Sequence, residues 1–200
     1  MTPTTIQGVP DLGPGLRLHL NENTGGCSPA VVEAVRAFDA HALAKYPDYR
    51  AAVIETAAFL GVDPERIVLT NGLDEGLLLT SIAYLGGRTP PALVDAGAPV
   101  VLPGGQPEVV MALPAFEPYV TTARSLGARI VSVPPGPDYS FPLDGVLRAV
   151  TTSTRIVYVN NPNNPSGQPI DKAAIHAVAK AAGHALVFVD EAYHDFLGEN

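Results

Sequence analysis

The chain has 200 residues, 46% of them hydrophobic and 16% charged, with a formal net charge of −8. That composition fits a globular chain able to bury one substantial core and excludes a disordered or low-complexity polymer. The acidic balance, with no Lys/Arg run, argues against a nucleic-acid or anionic-membrane surface.

No apolar run approaches the roughly 20 residues that span a bilayer. The opening residues lack a basic stretch followed by an apolar one, so no signal peptide is expected. Cys27 is the only cysteine, which rules out an internal disulfide or a cysteine-based metal cluster. The five histidines lack metal-ligand spacing. A cytoplasmic location is the expectation.

Residues 1–27 are rich in Gly, Pro and Asn and read as an arm. Ser28-Pro29 opens a helix, with Ser as N-cap and Pro in the first turn, and Val31, Val32, Val35 and Phe38 form its apolar face. A second helix is predicted from Tyr49 to Leu60, stopping at Gly61.

From there short apolar strands alternate with helices. Strands are predicted at Arg66–Leu69, Glu108–Leu113, Arg129–Val133, Arg155–Val159 and Leu186–Val189. Helices are predicted at Asp74–Leu85, Glu117–Leu126, Pro142–Val150 and Asp171–Ala182. This alternation predicts an α/β sheet covered on both faces. Gly86–Pro107 breaks the rhythm and reads as a surface insertion or flap.

Four segments carry candidate chemistry. Thr70–Gly76 joins a predicted strand to a helix, and a helix N-terminus offers free N–H groups to a phosphate. Asp74 and Glu75 there also suit simple capping of the helix dipole. Asn160–Gly167 (Asn-Asn-Pro-Asn-Asn-Pro-Ser-Gly) follows an apolar strand, at the edge where open α/β sheets bind ligands, although these are also ordinary turn formers.

Asp190, Glu191 and Tyr193 close another apolar strand. A carboxylate in that position is costly unless paired, and a protonated ring nitrogen, a turn to cap or a metal would each serve as partner. Pro114–Tyr119 offers an aromatic face after a third strand, a position also typical of core packing. No G-x-x-x-x-G-K-[ST] or G-x-G-x-x-G motif supports a nucleotide site.

In this order and separation, these segments resemble the fold-type I enzymes that use pyridoxal 5'-phosphate (PLP). Leu20–Gly26 with Ser28-Pro29, and Lys45–Asp48, are similar to the histidinol-phosphate aminotransferases in particular. Thr24 and Cys27 stand where that group commonly has prolines, and Ser166 where it commonly has Thr.

The resemblance implies a three-layer α/β/α PLP-transferase large domain, incomplete, with an N-terminal arm. Residues 1–45 would be the arm and first helix, and 46–200 the cofactor-binding domain. Gly72, Leu73 and Asp74 would hold the cofactor phosphate, and Phe116 would stack on the pyridine ring. Asn164 and Tyr193 would reach its phenolate oxygen, and Asp190 its ring nitrogen. Tyr46 and Asn23 would lie at the substrate or dimer interface, implying a homodimer.

The implied reaction is amino-group transfer between an amino acid or amino-alcohol phosphate and a 2-oxo acid, in amino-acid biosynthesis. A decarboxylase of the threonine-phosphate type and a non-catalytic remnant are the alternatives. The family's Schiff-base lysine is expected beyond Tyr193, and Lys45, Lys172 and Lys180 do not match its context. The expectation is therefore an N-terminal fragment that is inactive alone.

Overall fold

A computed structural model describes residues 20–23, 25–86 and 106–198. The arm up to residue 19, Thr24, and residues 87–105 of the expected insertion lie outside the described residues. By packing, the chain forms two units, Met1–Ile67 and Val68–Asn200. The expected cofactor-binding domain, starting at residue 46, thus takes in the last helix of the first unit.

The first unit holds α1 (Pro29–Arg36), α2 (Ala40–Leu43) and α3 (Arg50–Leu60). Ser28 caps α1, its Oγ accepting from the Ala30 N–H at 3.3 Å. The short α2 was not expected; the Asp39 carboxylate caps it, accepting from the Ala42 N–H at 2.7 Å. Gly61 ends α3 in the left-handed conformation, with φ of 66°. Of the apolar face expected of α1, Val31, Val35 and Phe38 are exposed and Val32 is half-buried.

The strand expected at Arg66–Leu69 does not form. Pro64–Arg66 is a 3-10 turn, and residues 67–70 carry no regular structure. Ile67 has extended dihedrals, but a strand also needs a hydrogen-bonding neighbour, and none is present among the described residues.

The second unit is built on four parallel strands: β1 (Glu108–Ala112), β2 (Arg129–Val133), β3 (Thr154–Asn160) and β4 (Leu186–Asp190), in the order β2-β1-β3-β4. β3 is buried along its whole length and β1 along most of it, which explains why both read as continuous apolar runs. Around the sheet lie α4 (Gly72–Leu85), α5 (Glu117–Ser125), α6 (Leu143–Ala149) and α7 (Lys172–Ala181).

Strand alternation divides the core in two. Val109, Met111, Ile156 and Tyr158 pack with Leu77 and Leu85 of α4 and Tyr119 and Ala123 of α5. Val110, Val157 and Val159 pack on the other face with Val146 of α6 and Val178 of α7. Each fully buried aliphatic side chain stabilises the layers by about 1.5–3 kcal/mol.

At the amino end of the sheet, Glu108 accepts hydrogen bonds from the Arg129 guanidinium and, at 2.8 Å, from the Thr151 hydroxyl. This ties the start of β1 to β2 and to the turn before β3. The Arg129 guanidinium holds the Glu108 carboxyl below its ordinary value. No helix among the described residues is long and apolar enough to cross a membrane.

The chain leaves β1 towards β2 on one side and β3 towards β4 on the other. Connections therefore diverge between the two central strands. A crevice opens there at the carboxyl ends, the general ligand site of open α/β sheets.

Candidate active site

Asp190 ends β4 at 2% exposure. Burying an isolated carboxylate is expensive, so its partners matter. The Tyr119 hydroxyl donates to Oδ2, and the Ala192 N–H donates to Oδ1 at 3.0 Å. Tyr119 reaches Asp190 from α5 and is itself 2% exposed.

The Tyr119 ring stacks on that of Tyr158, with centroids 4.5 Å apart and planes 5° from parallel. Tyr158, on β3, pairs its hydroxyl with Ser81 of α4 at 2.8 Å. The two phenols and their partners thus link β4, α5, β3 and α4. Burial, and then the Asp190 carboxylate, push the Tyr119 phenol far above its ordinary value, so it stays a donor. Burial likewise raises Tyr158.

The asparagine loop after β3 divides its labour. Asn160, 6% exposed, accepts the Asn164 N–H on Oδ1 at 2.5 Å and donates from Nδ2 to the Asp190 carbonyl at 3.4 Å. Asn161, also 6% exposed, donates its N–H to the same carbonyl at 2.8 Å and accepts the Ile170 N–H on Oδ1 at 2.8 Å. Asn163 donates to Ser166 Oγ at 2.7 Å. Asn160, Asn161 and Asn163 therefore shape the loop that carries Asn164.

At the start of α4, Asn71 makes no side-chain cap. Its own N–H instead donates to Glu75 Oε2 at 2.6 Å. Glu75 is thus a structural brace, and the N–H groups of the first turn remain uncapped by a side chain. Gly72 has φ of 69°, which glycine adopts without strain, and its N–H donates to the Thr70 carbonyl at 2.9 Å.

These elements enclose a pocket of about 110 Å³ lined by Leu73, Asp74, Phe116, Asn160, Asn164, Asp190, Ala192 and Tyr193. Six of the seven cofactor residues expected from the sequence meet there. Gly72 is not in the lining; it shapes the turn into α4. Phe116 meets Tyr119 edge-on, with centroids 5.6 Å apart and planes at 83°.

Asn23 and Tyr46 belong to the first unit. Asn23 closes a turn, accepting the Gly25 N–H on Oδ1 at 3.0 Å and donating to the Gly26 carbonyl at 2.9 Å. The Tyr46 side chain is fully exposed.

Sequence reasoning placed Tyr119 and Asn160 inside candidate segments but gave neither a role of its own. A polar group at a position spaced for the core, as in Tyr119, signals a buried partner. So does an amide ending a fully buried strand, as in Asn160. Among the described residues no lysine lines the pocket, and Lys172 and Lys180 sit on α7, which packs on the face opposite α4 and α5. No group of three or more His, Cys, Asp or Glu among the described residues could hold a metal ion.

A histidinol-phosphate aminotransferase of Lactiplantibacillus plantarum is 32% identical over 195 residues, which cover 96% of this chain and 50% of the relative. One from Methanocella arvoryzae is 35% identical over 187 residues, covering 92% and 46%. The chain spans about half the length of the curated relatives it matches.

Among solved structures, the histidinol-phosphate aminotransferase of Sinorhizobium meliloti, in complex with pyridoxal-5'-phosphate, superposes with a TM-score of 0.70 at 29% identity. That match covers 88% of this chain and 44% of the other. N-succinyldiaminopimelate aminotransferase of Mycobacterium tuberculosis gives 0.64 at 28% identity, covering 83% and 42%. The parallel sheet with flanking helices is thus the fold of PLP fold-type I aminotransferases. The family model for aminotransferase class I and II matches residues 14–200, and the chain belongs to that family.

Proposed function

We propose that this chain forms the PLP-binding part of an aminotransferase that moves an amino group from a histidinol-phosphate-like donor to a 2-oxo acid. The observation that carries the reading is Asp190, a buried carboxylate in the wall of a pocket that also meets a helix N-terminus and an aromatic ring. The residues present fit such a cofactor. An uncapped helix start suits a phosphate, Phe116 a ring face, and Asn164 and Tyr193 a phenolate oxygen.

Each side chain then has a task. The Asp190 carboxylate holds a proton on the ring nitrogen. The N–H groups of Leu73 and Asp74 bind the phosphate. Phe116 covers one ring face and excludes water from it, while Asn164 and Tyr193 fix the ring's rotation by hydrogen bonding. When bound, PLP supplies an electron-withdrawing ring that stabilises negative charge developing on the substrate's amino-bearing carbon.

The Schiff-base amine is assigned to none of the pocket-lining residues, so full activity calls for a lysine outside that set. Tyr46, exposed on the first unit, is suited to reach a second copy, and we assign it, with Asn23, to the substrate side of a homodimer. Amino-group transfer is favoured over decarboxylation by the relatives, which are 31–36% identical histidinol-phosphate aminotransferases. A cytoplasmic biosynthetic role follows from the same reading.

The test is Asp190→Asn in a protein that also carries that lysine, assayed for PLP affinity and for amino-group transfer from histidinol phosphate to 2-oxoglutarate. Loss of one hydrogen bond to an ionised partner weakens binding by about 1.5–3 kcal/mol, roughly ten- to hundredfold. Transfer should nearly vanish, because a neutral amide does not hold the ring nitrogen protonated. Unchanged affinity with near-normal turnover would remove Asp190 from the site.

A further inference from the structure

We infer that Tyr119 is a positioning residue for Asp190: its hydroxyl holds the carboxylate in a single orientation at the pocket wall. The inference rests on the cofactor reading above and adds to it a residue outside the pocket lining. Asp190 has two oxygens with different partners. Oδ1 accepts a main-chain N–H, which any side chain at position 192 except proline would supply. Oδ2 accepts the Tyr119 hydroxyl, the only side-chain donor to the carboxylate among the described contacts.

A carboxylate pairs with a protonated ring nitrogen only when one of its oxygens faces it. The Tyr119 hydroxyl, donating to Oδ2, fixes how the Asp190 carboxyl plane is turned. Without that bond the carboxyl group is free to rotate, and the pairing that keeps a ring nitrogen protonated is lost.

Tyr119 is held firmly enough for the role. Its ring is stacked on Tyr158 and meets Phe116 edge-on. Tyr158 is anchored in turn by Ser81, so the phenol has little freedom to swing away. The same ring therefore braces two pocket walls, the carboxylate and the stacking aromatic. Its high proton affinity means it donates to Asp190 throughout any working pH range.

The experiment uses PLP enriched in the NMR-active nitrogen isotope at its ring, bound to the parent protein and to Tyr119→Phe and Asp190→Asn. Phenylalanine keeps the stacked ring and deletes only the hydroxyl. In Tyr119→Phe the ring-nitrogen resonance should move from the protonated towards the unprotonated position. PLP affinity should fall as well, because the carboxylate is no longer held facing the ring. Asp190→Asn should move the resonance further.

If Tyr119→Phe weakens binding while the resonance stays at its protonated position, Tyr119 is only a packing residue and the inference fails. It fails equally if Tyr119→Phe changes nothing while Asp190→Asn moves the resonance, and the cofactor reading then stands. If neither variant moves it, the cofactor reading itself is wrong.

Discussion

Replacing Asn161 by alanine isolates what holds the asparagine loop in place. The side chain is 6% exposed, and its Oδ1 accepts the N–H of Ile170, a residue 7% exposed, at 2.8 Å. Alanine leaves that N–H buried without an acceptor, while the main-chain bond from Asn161 to the Asp190 carbonyl remains available. An orphaned buried donor costs about 1–3 kcal/mol. With a urea dependence of about 2 kcal/mol per molar, a loss of about 2 kcal/mol lowers the unfolding midpoint by roughly 1 M at unchanged slope.

Circular dichroism in urea gives that midpoint directly. PLP affinity should fall as well, because Asn161 closes the loop that carries Asn164 to the pocket. A midpoint shift below about 0.2 M would mean that water or a loop rearrangement satisfies Ile170, and the argument that this side chain staples the loop would be refuted.

Glu108→Gln should lower stability by about 1–2 kcal/mol near neutral pH, through loss of a charge-assisted partner for Arg129. Because the Glu108 carboxyl is held below its ordinary 4.5 in the folded chain, this contribution is complete above that value and fades as pH falls through the depressed one. The gap between parent and variant urea midpoints should therefore close in acid, and a pH-independent gap would contradict the pairing. Gly72→Ala meets no atom within 4 Å, so its cost is purely the left-handed φ of 69°, about 1–2 kcal/mol. Denaturation should show that loss together with weaker PLP binding; a neutral variant would mean that the turn into α4 relaxes freely.

The layered sheet could be read from the chain because its central strands are buried on both faces, leaving unbroken apolar runs such as Ile156–Val159. Helix ends were equally plain where capping chemistry is local: Ser28-Pro29 for α1 and Gly61 after α3. Arg66–Leu69 misled because an apolar run records a local preference, whereas a strand needs a neighbour. The set Leu73, Asp74, Phe116, Asn164, Asp190 and Tyr193 came from the resemblance to the PLP enzymes, and the strand ends and helix starts that carry these residues bring them to one pocket. The role of Tyr119 escaped notice because its bond to Asp190 joins residues 71 apart, and helical spacing reports only that the ring is buried.

The chain contains no tryptophan, so its tyrosines dominate the intrinsic emission. Tyr119 and Tyr158 are stacked in contact with their planes nearly parallel, and Tyr119 is bonded directly to the pocket wall. Such a pair couples electronically and imposes a chiral signature on the near-ultraviolet spectrum that neither ring has alone. A ligand absorbing at longer wavelength and seated beside Asp190 would drain the excitation of both rings. The stacked phenols thus give the protein a built-in optical gauge of pocket occupancy, readable without any attached label.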